Sequence, residues 1–314
     1  MKYIVTGGAG FIGSHIVEEL EAQKHEVVIL DNLFSGKKEN VAPFLKKKNV
    51  SFVNGSITDL PLLNKTFEGA DGIFHEAAIA SVPYSVAHPA EVHEVNLSGT
   101  LNVLCAAQDC DVKSLVFAST AAVYGDSPEL PKREEMIPET LSPYAVTKLA
   151  GEYYCSVFSR LYDVRCIALR YFNVFGPRQD PGSPYSGVIS KFIANTLNHR
   201  PLTIFGDGRQ TRDFVFIRDV VQANIRAMDS REQGVFNIAC GKQINLLELA
   251  DMIMEISGIT VPVTFGPPVE GDVRHSLADI SRARKLLAYE PEYSVRKGLE
   301  KTIEWYRLKG TSGN

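Results

Sequence analysis

The sequence predicts an α/β protein built on a doubly wound parallel sheet, followed by a smaller C-terminal α/β substrate-binding unit. Three observations predict it. Short apolar runs alternate with helical stretches through the first half, a glycine-rich turn joins the first run to the first helix, and the texture changes after Phe175-Gly176-Pro177-Arg178. The runs are Tyr3–Thr6, Glu26–Leu30, Val50–Asn54, Gly72–His75, Ser114–Ser119 and Arg165–Arg170, and their rhythm indicates βαβ units. Beyond them, Gln179–Gly187 carries Pro, Gly and Ser and reads as a long loop. Later helices are broken by short strands expected at Leu202–Phe205, Val235–Ala239 and Val261–Phe265. The expected organisation is a first domain over residues 1–176 and a second over 177–314, with the strand near 235–239 returning to the first. No internal repeat or low-complexity segment interrupts the chain, and Lys309–Asn314 reads as a tail.

Composition narrows the class. A chain of 314 residues, 45% hydrophobic, with a net charge of −4, supports a large core and reads as an ordinary soluble protein. No basic block argues for nucleic acid, and Lys46-Lys47-Lys48 reads as a short solvated turn. The first strand begins at Lys2, which leaves no room for a signal peptide, and no apolar run is long enough to span a membrane. The five cysteines are odd in number and sit mostly in apolar patterns, as expected of reduced thiols in a cytoplasmic protein. The seven histidines show no metal-ligand spacing, so no metal site is expected.

Thr6-Gly7-Gly8-Ala9-Gly10-Phe11-Ile12-Gly13 follows the first strand and opens a helix expected over Ser14–Glu21. Glycines at 7, 10 and 13 permit a tight turn and let backbone, including Phe11 and Ile12, approach a pyrophosphate at the helix N-terminus. Asp31 ends the second strand 18 residues after Gly13, where a carboxylate can accept hydrogen bonds from an adenosine ribose. It would repel a 2′-phosphate and so favours NAD over NADP, although Lys37 and Lys38 nearby pull the other way. The first domain is therefore expected to be a Rossmann-type dinucleotide-binding domain.

Ser142-Pro143-Tyr144-Ala145-Val146-Thr147-Lys148 places a tyrosine and a lysine four apart, one above the other on a helix. A tyrosine hydroxyl titrates near ~10, and a neighbouring cation lowers that value toward a usable base. The spacing alone occurs on many solvated helices. Together with a dinucleotide site it points to an enzyme that moves a proton from a hydroxyl while the dinucleotide takes a hydride.

The chain resembles the extended short-chain dehydrogenase/reductase family, in the branch that works on nucleotide sugars. The resemblance rests on the TGGAGFIG opening, Asp31-Asn32, His75-Glu76-Ala77-Ala78, Asn96, the Tyr144/Lys148 pair, the run Arg170–Arg178, Arg212-Asp213-Phe214 and Gly271-Asp272-Val273-Arg274. It implies further cofactor contacts at Asn32, Ser35, Gly36, Ile57, Asn96 and Tyr171. Where the family carries Gly-Asp-Ile this chain has Gly55-Ser56-Ile57, so Ser56 stands in for a carboxylate contact to adenine.

The resemblance also bears on the reaction. Members oxidise the sugar at C4 and differ in the acid and base groups that follow the strand ending at Ser119. Dehydratases and decarboxylating enzymes carry carboxylates there, whereas this chain reads Thr120-Ala121-Ala122-Val123-Tyr124-Gly125. Alanine moves no proton, so net 4-epimerisation is the remaining reading, with Tyr144 as base, Thr120 sharing the proton and Lys148 on the nicotinamide ribose. The family pattern places Asn173, Val188 and Phe205 on the UDP moiety, Arg212 on the diphosphate and Asp272 on the uridine ribose. A diphosphate-binding arginine of many relatives is Val269 here, and Arg274 is the expected replacement. Ser276 stands where relatives restricted to plain hexoses tend to carry tyrosine, which implies that UDP-GlcNAc and UDP-GalNAc are accepted beside UDP-glucose and UDP-galactose; Ser81 is expected to line the same pocket. Two alternatives stay open: a UDP-glucuronate 4-epimerase, and a protein that senses NAD without turnover. Helices near Ala90–Asp109 and Pro143–Tyr162 are the expected faces of a homodimer.

Overall fold

Unbroken apolar runs, rather than alternating ones, mark strands covered on both faces. The computed structural model describes residues 1–183, 187–268 and 273–311, with residues 310 and 311 as backbone only. Among these, the strands are β1 (Lys2–Thr6), β2 (Glu26–Asp31), β3 (Val50–Asn54), β4 (Gly72–His75), β5 (Ser114–Thr120), β6 (Arg165–Tyr171), β7 (Asn173–Phe175), β8 (Leu202–Phe205), β9 (Thr211–Phe216), β10 (Gly234–Ile238), β11 (Gln243–Asn245) and β12 (Val263–Gly266). The helices are α1 (Phe11–Ala22), α2 (Leu60–Phe67), α3 (Val82–Ala87), α4 (Pro89–His93), α5 (Gly99–Asp109), α6 (Pro143–Leu161), α7 (Val188–Leu197), α8 (Ile217–Asp229), α9 (Leu246–Ser257), α10 (Ser281–Leu287) and α11 (Val295–Thr311).

Seven strands form the main sheet in the order β10-β6-β5-β4-β1-β2-β3, and every neighbouring pair is parallel. Successive residues of β1 enter opposite cores: Tyr3 and Val5 face a layer containing Ile16, Val17 and Leu20 of α1 and Val220 and Val221 of α8. Ile4 faces the other layer, with Leu63 and Phe67 of α2, Val103 and Leu104 of α5, and Phe158 of α6. The chain winds one way from β1 through β3 and the other way from β4 through β6, so a crevice opens beyond the strand ends between β1 and β4. β10, from the second half of the chain, pairs with β6 and completes the sheet.

The remaining strands form two small sheets, β11-β9-β7 and β12-β8. Pairing in the last of these begins at Val263, not at Val261 as expected, because Pro262 has no N–H to donate; its carbonyl instead accepts from Leu202 N at 2.9 Å. The first helix starts three residues earlier than expected, at Phe11 directly after Gly10. The last helix runs to Thr311, past Lys309 where the sequence reads as tail.

A buried ion pair ties α6 to the sheet. Glu152 accepts from Arg170 Nε at 2.8 Å and Nη2 at 2.7 Å, and from the Ser119 hydroxyl. The Arg170 guanidinium lies over the Tyr124 ring, 4.7 Å from its centre. The five cysteines are free, with Cys155 and Cys166 buried. Among the described residues, no helix is long and apolar enough to cross a membrane, and no cluster of side chains could hold a metal ion.

Candidate active site

The turn between β1 and α1 must reverse the chain within Gly7–Gly10. Gly7 adopts φ +67°, a left-handed conformation that a side chain strains, and Gly10 N donates to Gly7 O at 3.0 Å. A Cβ on Gly7 would lie 2.7 Å from the Ala77 backbone, and one on Gly13 would lie 2.3 Å from Gly7 O. α1 then begins with no side-chain cap and no acid in its first turn, leaving backbone N–H groups and the positive end of the helix dipole for an anion. These features fit a dinucleotide pyrophosphate.

A cleft of about 360 Å³ lies over this turn. Gly7, Gly10, Phe11, Ile12 and Gly13 form one wall; Asp31, Asn32, Ser35, Gly36, Ser56 and Ile57 form another, so the structure gathers most of the residues expected on the cofactor. Asp31 also braces the turn: its carboxylate accepts from Ala9 N at 2.9 Å and Leu33 N at 2.7 Å. Burial pushes its pKa up, and those two backbone bonds oppose the rise. The Ser56 hydroxyl is shared with Thr58 at 2.8 Å. Lys37 and Asp180 form an ion pair at the edge of the same cleft.

Four expected cofactor residues fall outside this wall: Tyr144 and Lys148 at the reacting end, and Asn96 and Tyr171. Asn96 sits on the π-helical turn Glu94–Ser98 and is spent on the Ile79 backbone, accepting from its N–H at 2.8 Å and donating to its carbonyl at 3.1 Å. The Tyr171 hydroxyl donates to Glu76 Oε1 at 2.9 Å and meets Asn224 at 2.8 Å. Both residues hold cleft-lining backbone or side chains in place.

The reacting end is set by α6, which Ser142 caps by accepting from Ala145 N at 3.2 Å, with Pro143 in the first turn. At the second residue of the helix, the Tyr144 hydroxyl lies beside Thr120, whose own hydroxyl accepts from Ala122 N at 3.2 Å. Lys148 is buried; its ammonium donates to Ala118 O at 2.8 Å and lies 4.9 Å from the Phe117 ring centre. The Lys148 charge does not outweigh burial at Tyr144. Burial pushes Tyr144 up to about 12, against the influence of Thr120, and the nearby Glu76 charge adds to the rise. Burial in turn pulls Lys148 down to about 8. His75 bridges Thr6 at 2.7 Å and Thr100 at 3.0 Å, and burial lowers its pKa to about 3, so it stays neutral.

A second cleft, of about 340 Å³, brings together Asn173, Val188, Phe205 and Arg212, all expected on the UDP moiety. Phe205 is half exposed, and Asn173 donates to Asp213 O at 3.2 Å. The sequence reading missed Gln210, which is buried in this wall and donates to the Phe205 carbonyl at 2.6 Å. Its Oε1 is buried with no partner among the described residues, so a ligand N–H would satisfy it. Arg274 is not directed to this cleft; its guanidinium pairs with Asp207 at 2.7 Å on the surface, where a carboxylate is the nearer anion. Ser276 is half-buried beside Arg212's strand, donating its N–H to Thr211 O at 3.1 Å. Ser81 caps α3 by accepting from Tyr84 N at 3.1 Å. Asp272 and Val269 lie outside the described residues.

A parallel sheet with a glycine turn at its switch point, and a tyrosine–lysine helix beside it, defines a dinucleotide-dependent enzyme of the oxidoreductase-like fold. A model of the NAD dependent epimerase/dehydratase family matches residues 3–239, and the chain belongs to that family. It is 40% identical over 312 residues to a UDP-glucose 4-epimerase of Mycolicibacterium smegmatis, covering 98% of this chain and 99% of that one. The UDP-glucose 4-epimerase of Thermotoga maritima, solved with UDP-glucose, superposes with a TM-score of 0.94 at 39% identity, covering 98% of this chain and 99% of that one. The UDP-N-acetylglucosamine 4-epimerase of Methanobrevibacter ruminantium M1, solved with UDP-N-acetylmuramic acid, gives a TM-score of 0.94 at 39% identity and 98% coverage of both chains.

Proposed function

We propose that the chain is an NAD-dependent UDP-hexose 4-epimerase. It interconverts UDP-glucose and UDP-galactose through a transient 4-keto sugar, and takes UDP-GlcNAc and UDP-GalNAc as well. One observation carries this reading: Thr120 lies beside the Tyr144 hydroxyl and holds its pKa down, and the turn that follows, Ala121–Tyr124, holds no carboxylate or amine. Tyr124, the one titratable group in that turn, is tied to Asn237 at 2.7 Å and pushed up to about 12 by burial. The Tyr144–Thr120 pair can therefore move one proton at the 4-hydroxyl, and the turn after Thr120 supplies no acid or base to eliminate water or release CO₂ afterwards.

In this reading the glycine turn and the α1 N-terminus hold the pyrophosphate, and Asp31 holds the adenosine ribose. When bound, NAD supplies a hydride acceptor and donor, and its cationic ring favours the Tyr144 phenolate. Tyr144 takes the 4-hydroxyl proton and later returns it, Thr120 shares the proton's path, and Lys148 anchors the ribose. Arg212 faces the diphosphate, while Asn173, Val188 and Phe205 receive the uridine. A substrate panel on purified protein without added NAD tests this. UDP-glucose should yield UDP-galactose and UDP-GlcNAc should yield UDP-GalNAc, while UDP-glucuronate should stay unchanged. No conversion of either UDP-glucose or UDP-GlcNAc even with NAD supplied would remove the proposal.

Sugar range is assigned to Ser276. Ser276→Tyr is expected to lower kcat/KM for UDP-GlcNAc about 100-fold, with UDP-glucose changed less than about threefold. Equal losses on both sugars would show that the position does not gate the C2 substituent.

The exposed face of α6 supports a homodimer. Its inner face (Ala145, Lys148, Glu152, Cys155 and Phe158) is buried against the sheet, yet its outer face exposes Val146, Tyr153, Val157 and Leu161. A helix apolar on both sides is covered on both sides. The occupant proposed is the same helix of a second copy, paired about a two-fold axis. The double variant Tyr153→Glu, Val157→Glu should elute as a monomer in size-exclusion chromatography where the parent elutes as a dimer; a monomeric parent would contradict the assignment.

A further inference from the structure

Among the described residues that line the cofactor cleft, Glu76 is a carboxylate within reach of Tyr144 and Lys148 that has no role in the mechanism above. It directly follows the four buried residues of β4, and its N–H is held by Thr6 O at 3.1 Å. Its backbone lies against the glycine turn: a Cβ on Gly7 would come within 2.9 Å of the Glu76 carbonyl carbon. Its side chain sits deep below the molecular surface while keeping one face open to the cleft it lines.

The groups around it are few. From β6, Tyr171 donates a hydrogen bond at 2.9 Å, and Asn224 of α8 holds that hydroxyl from behind. From α6, Tyr144 and Lys148 lie within electrostatic reach but form no ion pair with it. His75, its strand neighbour, is neutral. One hydrogen bond is modest support for a buried carboxylate, which ordinarily collects several donors or a contacting cation. Burial accordingly pushes Glu76 up to about 7, with the Tyr171 bond and the Lys148 charge opposing it. A further positive charge in the cleft would be its natural complement.

We propose that Glu76 is a charge-setting residue of the cofactor site, whose carboxylate offsets a cationic nicotinamide and makes the protein hold oxidised NAD in preference to NADH. The inference rests on the proposed NAD-dependent function. It matters to an epimerase because the enzyme must begin each cycle with the oxidised cofactor. A site neutral at this point would bind the uncharged reduced ring equally well, and each escape of the keto sugar would leave the protein stranded in the reduced form.

The test equilibrates the protein with mixtures of NAD and NADH and measures which nucleotide remains bound after desalting. Glu76→Gln keeps the shape and the Tyr171 bond but removes the charge. Glu76→Leu removes both, and Glu76→Asp retains the charge. The Gln and Leu variants should shift the bound ratio toward NADH about tenfold, the order expected for one charge acting across a cleft of intermediate dielectric. The Asp variant should stay near the parent. Proton release on NAD binding at neutral pH should also be smaller in the Gln variant than in the parent. If both neutral variants keep the parental ratio, Glu76 is only a packing partner of Tyr171 and the inference fails. If the parent retains neither nucleotide, the proposed function itself fails, and this inference with it.

Discussion

Tyr144→Phe is expected to lower kcat for UDP-glucose about 10³-fold, within the range that positioned acid–base groups contribute, while leaving NAD bound. The hydroxyl is the proton carrier in the proposed cycle, and phenylalanine retains the ring without it. Burial holds the group protonated in the structure, at about 12. That is unfavourable for the first half of the cycle, when it must act as a base, and favourable for the second, when it must protonate the 4-keto oxygen. The expected loss is therefore in turnover rather than in KM, because the proposed function places the substrate's diphosphate and uridine elsewhere, at Arg212 and Asn173. Steady-state kinetics separates the two. A loss of less than about tenfold would mean that Thr120 or water carries the proton, and that the assignment of Tyr144 is wrong.

The second large effect concerns stability. Glu152→Ala should destabilise the protein by about 3–5 kcal/mol in denaturant titration, since removing one partner leaves Arg170 charged and buried. Both side chains are almost fully covered, with 3% and 4% of their surface exposed. The double replacement Glu152→Met, Arg170→Met should recover most of that loss, because the uncompensated charge is gone. If the double variant is no better than Glu152→Ala, the cost comes from lost packing around Ser119 and Tyr124 rather than from charge.

What the sequence made legible follows physical lines. The six strands of the first half were readable because strands covered on both faces appear as unbroken apolar runs. The glycine turn was readable because Gly7 and Gly13 occupy places where a side chain meets backbone. The Tyr144/Lys148 pair was readable because helical spacing alone stacks the two residues. What stayed hidden depends on contacts between distant segments. Arg170 finds Glu152 only when α6 packs on β5 and β6. Lys148 turns to Ala118 because α6 packs against β5, which carries that carbonyl, and Arg274 turns to Asp207 from 67 positions away. Asn96 and Tyr171 belong to the site through the residues they hold, which no motif specifies. Glu76 did leave a signal: a carboxylate directly after four buried strand residues is out of place unless something needs its charge.

The place of β10 has a consequence for how the protein is made. β6 is complete at residue 171, but its outer edge waits for a strand that ends at residue 238. During synthesis the ribosome must add a further stretch of chain, including β7, β8 and β9, before that edge is sealed. Through that interval an apolar strand presents a row of unpaired backbone groups, the feature most apt to recruit a neighbouring nascent chain. The nucleotide-binding half thus reaches its finished state only with material supplied by the other half, and the two ripen together as one folding unit.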